Sequence, residues 1–204
     1  KRVEIAVTPA APDYIYANAT GAANEGSGTY GIYFSNDAGE SWSFRCCGAQ
    51  PSGLASLSNP NLMGWSEDGT DNGGQYYYDV ALEADPINPD KLYLGGVNHW
   101  VSVDGGYSFN CPAKWSHGDS DQYVHADIHD IRYLGNELWF ACDGGLFKSS
   151  DGGATINRSM MGIEGTDFWG FGSSTKSNVM LGGAYHNGTL LKDNNTYIND
   201  WICT

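Results

Sequence analysis

A short motif of serine, aspartate and glycine decides the fold of this chain. Residues 149–156 read Ser149-Ser150-Asp151-Gly152-Gly153-Ala154-Thr155-Ile156, and the spacing S-x-D-x-G-x-[ST]-apolar recurs at 35–42 and 102–109. The spacing predicts a hairpin turn, because the Asp carboxylate can accept backbone N–H groups, Gly allows a positive φ and the last, large residue can return to the core. These structural roles fall to Ser35, Asp37, Gly39, Trp42, Ser102, Asp104, Gly106, Phe109, Ser149, Asp151, Gly153 and Ile156.

The second and third copies of this motif are separated by an interval typical of propeller blades, and the first and second by a longer one. The second and third are 47 residues apart, from Asp104 to Asp151, and known propeller repeats span roughly 40–50 residues. The first two are 67 residues apart, from Asp37 to Asp104. The surplus falls in residues 48–74, whose Gly, Ser, Asn and Asp content predicts an inserted loop.

Strand signals fit the same frame. In the third repeat, short apolar and aromatic runs predict strands at 130–134, 137–142, 146–149 and 154–158, and in the second repeat the first strand is predicted at 77–83. A fourth repeat begins at Phe168, but its motif has degenerated to Asp193-Asn194-Asn195. No long apolar period of 3.6 residues occurs, so we expect almost no helix. The predicted fold class is therefore all-β, built from four-stranded antiparallel blades.

The S-x-D-x-G-x-[ST] motif resembles the Asp-box, or bacterial-neuraminidase repeat, of sialidases, sortilin-type receptors and xyloglucan-active glycoside hydrolases. With the H-x-D-x-H segment His125-Ala126-Asp127-Ile128-His129, the chain also resembles large secreted or surface propeller proteins of bacteria. The resemblance covers nearly the whole chain and implies a β-propeller with blades at 1–47, 75–116 and 122–160, a partial blade at 165–204 and the inserted loop at 48–74. We expect a segment of a larger ring, with further blades or adjacent domains as partners. A self-contained four-bladed ring is the alternative.

The charge and the hydropathy of the chain argue against two kinds of partner, nucleic acid and the membrane interior. The net charge of −14, with only 10 Lys and Arg, repels phosphate backbones, so we expect no nucleic-acid partner. No stretch approaches the roughly 18 apolar residues of a membrane helix, so we expect no direct membrane insertion. The resemblance to secreted and surface propeller proteins implies a secreted or cell-surface location, with a polysaccharide or a surface protein as the ligand.

Five cysteines leave several pairings open. Cys46, Cys47, Cys111, Cys142 and Cys203 show no C-x-x-C spacing, which argues against a zinc ribbon or a redox pair. A bridge from Cys46 or Cys47 to Cys111 would join the outer strands of two blades. Buried free thiols and a vicinal Cys46–Cys47 disulfide are the alternatives.

The segment Val124-His125-Ala126-Asp127-Ile128-His129-Asp130 is the strongest candidate for a metal site. If it is a strand, His125, Asp127 and His129 share one face, a spacing suited to a divalent metal, either calcium or a transition metal. The structural alternative is that these side chains bond to backbone and to neighbouring blades. A second candidate, for calcium, is the acidic loop 66–72, for which a solvated loop without an ion is the alternative.

Two function classes remain open. The first is a module with a binding, adhesion or structural role, and for binding it would use exposed aromatic rings. Tyr76, Tyr77, Trp115 and Trp169 are expected mostly in packing, which leaves Trp65 as the surface candidate, with packing against its own loop as the alternative. A glycoside hydrolase, of the xyloglucan or β-glucan type that the resemblance suggests, needs two carboxylates across a cleft, and the catalytic candidates are Asp79, Asp127 and Asp130. A sialidase is disfavoured because the few arginines are scattered.

Overall fold

The computed structural model describes residues 2–23, 26–47, 55–163, 165–185, 188–193 and 201–203. Within these ranges the chain forms sixteen β-strands and no helix, as the sequence predicts. No helix long and apolar enough to cross a lipid bilayer therefore occurs among these residues.

The strands form four separate antiparallel sheets, which we call blades 1 to 4, and in each blade every strand pairs with the next along the chain. Blade 1 contains β1 (Arg2–Thr8), β2 (Ala11–Ala23), β3 (Gly26–Ser35) and β4 (Ser43–Cys46). Blade 2 contains β5 (Ala81–Ala84), β6 (Leu92–Gly95), β7 (His99–Ser102) and β8 (Asn110–Ala113). Blade 3 contains β9 (Ile128–Leu134), β10 (Glu137–Cys142), β11 (Gly145–Ser149) and β12 (Asn157–Arg158). Blade 4 contains β13 (Phe168–Ser173), β14 (Val179–Ala184), β15 (Gly188–Asp193) and β16 (Ile202–Cys203).

Blades 1 to 3 belong to one compact unit, residues 1–160, and blade 4 to a second unit, residues 161–204. In the first unit β1 lies against β5, and β5 against β9. The first strands of successive sheets are thus neighbours, as the inner strands of propeller blades are. The first unit is a partial propeller of three blades.

Two apolar clusters fill the spaces between these blades. One joins blades 1 and 2 and includes Tyr16, Ile32 and Leu94, all fully buried. The other joins blades 2 and 3 and includes Tyr93 and Phe140. In β10 buried and partly exposed residues alternate, which places one face of this strand in the core.

Four hydrogen bonds between blades end on main-chain carbonyls. Thr8 Oγ1 donates to the carbonyl of Asp85 at 2.7 Å, and the Tyr16 hydroxyl donates to the carbonyl of Pro89 at 3.0 Å. Between blades 2 and 3 the Lys91 ammonium and the Tyr93 hydroxyl both donate to the carbonyl of Gly152, at 2.7 and 2.9 Å. These four bonds hold the neighbouring blade by its backbone, whereas Tyr133 binds the side chains of Glu83 and Asp85 across the boundary between blades 2 and 3.

The three S-x-D-x-G turns connect the third and fourth strands of blades 1 to 3 and share one hydrogen-bond pattern. In each, the Ser hydroxyl donates to the Asp carboxylate at 2.7–2.8 Å and accepts the N–H of the second Gly position at 2.8–2.9 Å. The carboxylate also accepts the N–H of Ser41, Ser108 or Thr155 at 2.8–3.0 Å. These hydrogen bonds lower the pKa of Asp37 and Asp151 to about 2. The predicted positive φ is also observed, at +94° for Gly39 and +85° for Gly106 and Gly153.

The large residue that closes the motif returns to the core in only two of the three turns. Phe109 and Ile156 are buried, whereas Trp42 is 45% exposed. The indole Nε1 of Trp42 donates to the carbonyl of Gly39 at 3.0 Å, so its ring covers the turn from outside. The prediction that Trp42 packs into the core is wrong.

Strand boundaries agree best where the apolar alternation is strong. The predicted strand 137–142 is observed as β10, whereas the predicted 154–158 shortens to Asn157–Arg158. In blade 2 the first strand begins at Ala81 rather than at residue 77, because Tyr76, Tyr77 and Tyr78 form a turn. Of the degenerate motif in blade 4, positions 194 and 195 lie outside the described residues.

The predicted bridge between the outer strands of blades 1 and 2 is not formed. Cys46 and Cys47 are joined to each other as a vicinal disulfide, and Cys111 is a free thiol. Cys142 is also free, and burial raises the pKa of its thiol to about 11. The interblade pairing with Cys111 is therefore wrong; the vicinal alternative is observed at Cys46 and Cys47, and the buried free-thiol alternative at Cys142.

Candidate functional site

Antiparallel topology separates the two ends of blades 2 and 3. The S-x-D-x-G turns lie at one end. At the other end lie the hairpins between the second and third strands and the segments that lead into β5 and β9. We call this second end the loop face. A hydrogen bond of 2.9 Å from the N–H of Ile128 to the carbonyl of Gly96 joins the two blades there.

Asp127 is the residue immediately before β9, and its backbone has a left-handed conformation with φ of +61°. Its side chain accepts a hydrogen bond from Gln75 Nε2 at 2.8 Å, and its carbonyl accepts the N–H of Asp143 at 3.2 Å. Burial, together with the negative charge of Asp143, raises the pKa of Asp127 above its ordinary value. Asp127 is thus held in place with an environment that disfavours its charge.

Asp143 lies in the β10–β11 hairpin and collects two partners. His129 Nε2 lies 2.7 Å from Asp143 Oδ1, and the Tyr78 hydroxyl donates to the same carboxylate at 3.2 and 3.3 Å. The rings of Tyr78 and His129 meet edge to face with centroids 4.8 Å apart. Burial and the Asp143 charge raise the pKa of Tyr78, so its hydroxyl stays protonated and acts as the donor.

Asp79 is a buried residue of the segment that leads into β5, next to Tyr78. It is only 1% exposed, and neither carboxylate oxygen has a hydrogen-bond partner among the described residues. Its N–H donates to the carbonyl of Gln75 at 3.3 Å, which fixes it between the residue that binds Asp127 and the tyrosine that binds Asp143. Burial, followed by the Asp127 charge, raises the pKa of Asp79 to about 8.

The structure brings together two of the three predicted carboxylates. Asp79 and Asp127 belong to this cluster, but Asp130 points elsewhere and forms an ion pair with Arg132 at 3.2 Å. Asp143, Tyr78 and Gln75 were not among the predicted site residues. The sequence signal for Asp143 is its place in the turn Asp143-Gly144-Gly145 between two predicted strands.

The predicted metal-binding set is not assembled. The described residues contain no group of three His, Cys, Asp or Glu side chains that could hold a metal ion. His125 Nδ1 lies 3.1 Å from the carbonyl of Ala126, His129 binds Asp143, and Asp127 binds Gln75. The prediction assumed a continuous strand, but β9 begins only at Ile128, so strand alternation does not apply to His125 and Asp127.

The acidic loop at 66–72 uses its carboxylates internally. Asp71 accepts the N–H of Trp65 at 2.7 Å and the hydroxyl of Ser66 at 2.5 Å. Asp68 accepts the N–H and the hydroxyl of Thr70 at 3.1 and 2.8 Å. Both carboxylates therefore have hydrogen-bond partners within the loop.

Four aromatic residues project from the loop face and the segments beside it. Trp65 is 48% exposed, Tyr77 68%, Tyr78 44% and Trp115 44%. Trp65 is about half exposed, as predicted for a surface residue, and its ring also packs on Gly73 of its own loop, as in the alternative. The expectation that Tyr77 and Trp115 are packed inside is wrong. Trp169 in blade 4 is also exposed and stacks on Tyr185 with centroids 4.5 Å apart.

The two tryptophans are fixed to the β6–β7 hairpin by one side chain. Asn98 Nδ2 donates to the carbonyl of Trp65 at 3.2 Å, and Asn98 Oδ1 accepts the N–H of Trp115 at 3.1 Å. The Trp115 indole Nε1 also donates to the carbonyl of Trp65 at 3.3 Å. A side chain at Gly73 would overlap the Trp65 ring, so this ring lies directly on the backbone of Gly73.

Among known proteins, the chain is similar to solved structures but matches no family model and no curated sequence. Two structures of YCF48 are similar over 97% of the chain with a TM-score of 0.42: YCF48 bound to D1 peptide, at 12% identity, and YCF48 from Cyanidioschyzon merolae, at 11%. An ancestral GH74 enzyme is 17% identical with a TM-score of 0.44 over 98% of the chain. The GH74 xyloglucanase from Xanthomonas campestris is 15% identical with a TM-score of 0.36 over 98% of the chain.

The chain is shorter than all four of these proteins. It spans 51% and 54% of the two YCF48 chains and 27% and 31% of the two GH74 chains.

Proposed function

We propose that this chain is a recognition module of a secreted or cell-surface propeller and that it binds oligosaccharide at the loop face. The observation that carries the proposal is the group of four aromatic side chains, 44–68% exposed, beside hydrogen-bonding side chains of Gln75, Asp127, His129 and Asp143. Exposed aromatic rings supply flat apolar surface at low conformational cost, and nearby polar groups give direction.

The rigidity of the aromatic residues supports binding. The Trp65 ring rests on Gly73, and Asn98 fixes the backbone of Trp65 and Trp115. Tyr78 is held by its hydrogen bonds to Asp143. A surface that is already ordered loses little further conformational freedom when a ligand binds, so more of the contact energy contributes to affinity.

Charge restricts the class of sugar. The chain carries a net charge of −14, and the loop face itself presents the carboxylates of Asp127 and Asp143. Polymers rich in sulfate, phosphate or uronic acid would be repelled. The proposed ligands are therefore neutral or cationic oligosaccharides.

The test is a titration of the protein with a panel of soluble oligosaccharides, in which Trp fluorescence and calorimetry measure binding. We expect Trp65→Ala and Tyr77→Ala each to weaken binding about tenfold, equivalent to roughly 1.4 kcal/mol. Trp42→Ala is the matched control, because Trp42 is similarly exposed but lies at the opposite end of its blade. Absence of binding across the panel, or binding that both loop-face variants leave unchanged, overturns the proposal.

A glycoside hydrolase is the second candidate, and the raised pKa of Asp127 favours it. A general acid needs such a shift, and Asp127 is partly exposed, whereas Asp79 is too buried to touch a substrate. The discriminating measurement is release of reducing sugar from xyloglucan or a β-glucan. A hydrolase would lose this activity in Asp127→Asn, and a module that only binds would release no product in any variant.

A further inference from the structure

One face of blade 1 is apolar and exposed. Val3, Ile5 and Val7 alternate along β1 and are 55%, 53% and 60% exposed. Across the sheet, Tyr33 and Phe44 lie on the same side as Ile5, because paired residues of antiparallel strands share a face. The rings of Tyr33 and Phe44 meet edge to face with centroids 5.7 Å apart. We call the face formed by these five side chains the open face; contiguous exposed apolar side chains of this kind mark an interaction surface.

The S-x-D-x-G turns define equivalent positions in blades 1 to 3. The residue before each turn serine pairs with an aromatic residue of the second strand, namely Tyr16, Tyr93 or Trp139. Each of these aromatic residues pairs in turn with a residue of the first strand. The first-strand positions immediately before those partners are Ile5, Leu82 and Ile131, which are therefore equivalent. The open face of blade 1 thus has a counterpart in blades 2 and 3.

In blades 2 and 3 the preceding blade covers this counterpart. Leu82 is 2% exposed and belongs to the apolar cluster between blades 1 and 2, and Ile131 is 0% exposed in the cluster between blades 2 and 3. The third strands agree, because Trp100 and Phe147, two residues before their turn serines, are buried in the same two clusters. Tyr33 has this position in blade 1. The open face is therefore the same surface that two interfaces of this chain bury.

The turn of blade 1 also keeps the backbone geometry of a covered blade. Lys91 and Tyr93 of blade 2 donate to the carbonyl of Gly152 in the turn of blade 3. Ala38 is the equivalent of Gly152 in blade 1, and both have a left-handed backbone, with φ of +56° and +68°. This conformation is uncommon for a residue with a side chain. The Ala38 carbonyl is thus the acceptor that corresponds to the carbonyl of Gly152.

We infer that the open face is the docking surface for a further four-stranded β-blade, linked to this chain and packed on blade 1 as blade 1 packs on blade 2. Such a blade places apolar side chains on Ile5 and Tyr33, and a donor from its second strand at the carbonyl of Ala38. Both covered interfaces join blades that follow each other in one chain. A second copy fits less well, because two chains of net charge −14 repel each other.

The experiment supplies a blade of known chemistry. A copy of residues 78–113, which contain blade 2, is fused ahead of Arg2 through a flexible linker as long as segment 114–127, which joins blades 2 and 3. The copied Lys91 and Tyr93 then supply the donors for the carbonyl of Ala38. Photochemical carbene labelling with mass spectrometry compares the exposure of Ile5 and Phe44 in the chain with and without the added blade. We expect the labelling of Ile5 to fall to the level of the buried Ile131. Unchanged labelling of Ile5 and Phe44 overturns the inference.

Two variants separate docking from mere proximity of the added blade. Ile5→Asp places a charge in the contact, so Phe44 should stay as strongly labelled as in the chain without the added blade. Leu57→Asp is the matched control, because Leu57 is also apolar and is 77% exposed but lies in the inserted loop. It should leave the loss of labelling at Phe44 intact. Circular dichroism checks that both variants are folded. An equal loss of Phe44 labelling in the two variants overturns the inference.

Sedimentation of the chain without the added blade tests the other occupants of the open face. We expect a monomer in which Ile5 is strongly labelled. A dimer that Ile5→Asp dissociates and Leu57→Asp leaves intact assigns the open face to a second copy and overturns the inference. Weak labelling of Ile5 in a monomer means that the 204 residues already cover the face, which also overturns it.

Discussion

Tyr78 reaches Asp143 across the boundary between blades 2 and 3, with its hydroxyl 3.2 Å from Oδ1. Tyr78 belongs to the turn before β5 and Asp143 to the β10–β11 hairpin. Because 65 residues separate them in the sequence, the contact forms only when both blades are folded and adjacent. This pair joins the aromatic and acidic parts of the loop face.

Tyr78→Phe should destabilise the protein only slightly. It removes one hydrogen bond from a partly exposed carboxylate and keeps the ring against His129, so we expect a loss below about 1 kcal/mol. Tyr78→Ala also removes the ring contact and should cost more. Urea unfolding measures both, and equal losses in the two variants would mean that the ring contributes nothing.

Asp79→Asn should stabilise the protein in a pH-dependent way. With its pKa raised from 3.8 to about 8, folded Asp79 holds a proton that the unfolded chain releases, so stability falls as pH rises between these values. The variant removes this loss, and we expect a gain of about 3 kcal/mol or more at about pH 8 and almost none near pH 4. Urea midpoints at the two pH values test this. A gain independent of pH would contradict it.

His99 should make stability fall in mild acid. It is fully buried between Tyr93 and Phe140, and burial lowers its pKa from 6.5 to about 4. Below the unfolded pKa the unfolded chain takes up a proton that the folded protein refuses, so stability decreases as pH falls from 6.5 towards 4, by up to about 3 kcal/mol. His99→Phe should flatten this part of the stability curve. An unchanged slope in the variant would exclude His99 as the cause.

Asp104→Ala should weaken the turn of blade 2. The carboxylate accepts the N–H groups of Tyr107 and Ser108 and the hydroxyls of Ser102 and Ser108. Their loss should cost about 2 kcal/mol in unfolding free energy. Asp119→Ala, at an exposed position in the loop before β9, is the matched control and should change stability by less than about 0.5 kcal/mol. Similar losses of unfolding free energy in the two variants would contradict a structural role of Asp104.

The sequence predicts the turns well because their interactions are local. Ser149, Asp151 and Gly153 bind one another within five residues, so spacing alone reveals the geometry. Trp42 shows the limit of this local information, because the motif fixes the turn but not whether its last ring faces the core.

The site was harder to predict because it depends on distant contacts and on one local irregularity. Tyr78 and Asp143 meet through the arrangement of blades, which no short pattern encodes. The positive φ of Asp127 ends the strand alternation on which the metal hypothesis depended. The unpartnered state of Asp79 is a property of burial, which the sequence alone does not show.

The hydrogen bonds that join neighbouring blades have a consequence for how such repeats diverge. Thr8, Tyr16, Lys91 and Tyr93 all donate to main-chain oxygens of the next blade. Every amino acid supplies that oxygen, so the receiving position can mutate without loss of the bond as long as the backbone keeps its path. At these four bonds only the donor residue is constrained, so the receiving positions of duplicated blades can diverge in sequence while the blades still fit together.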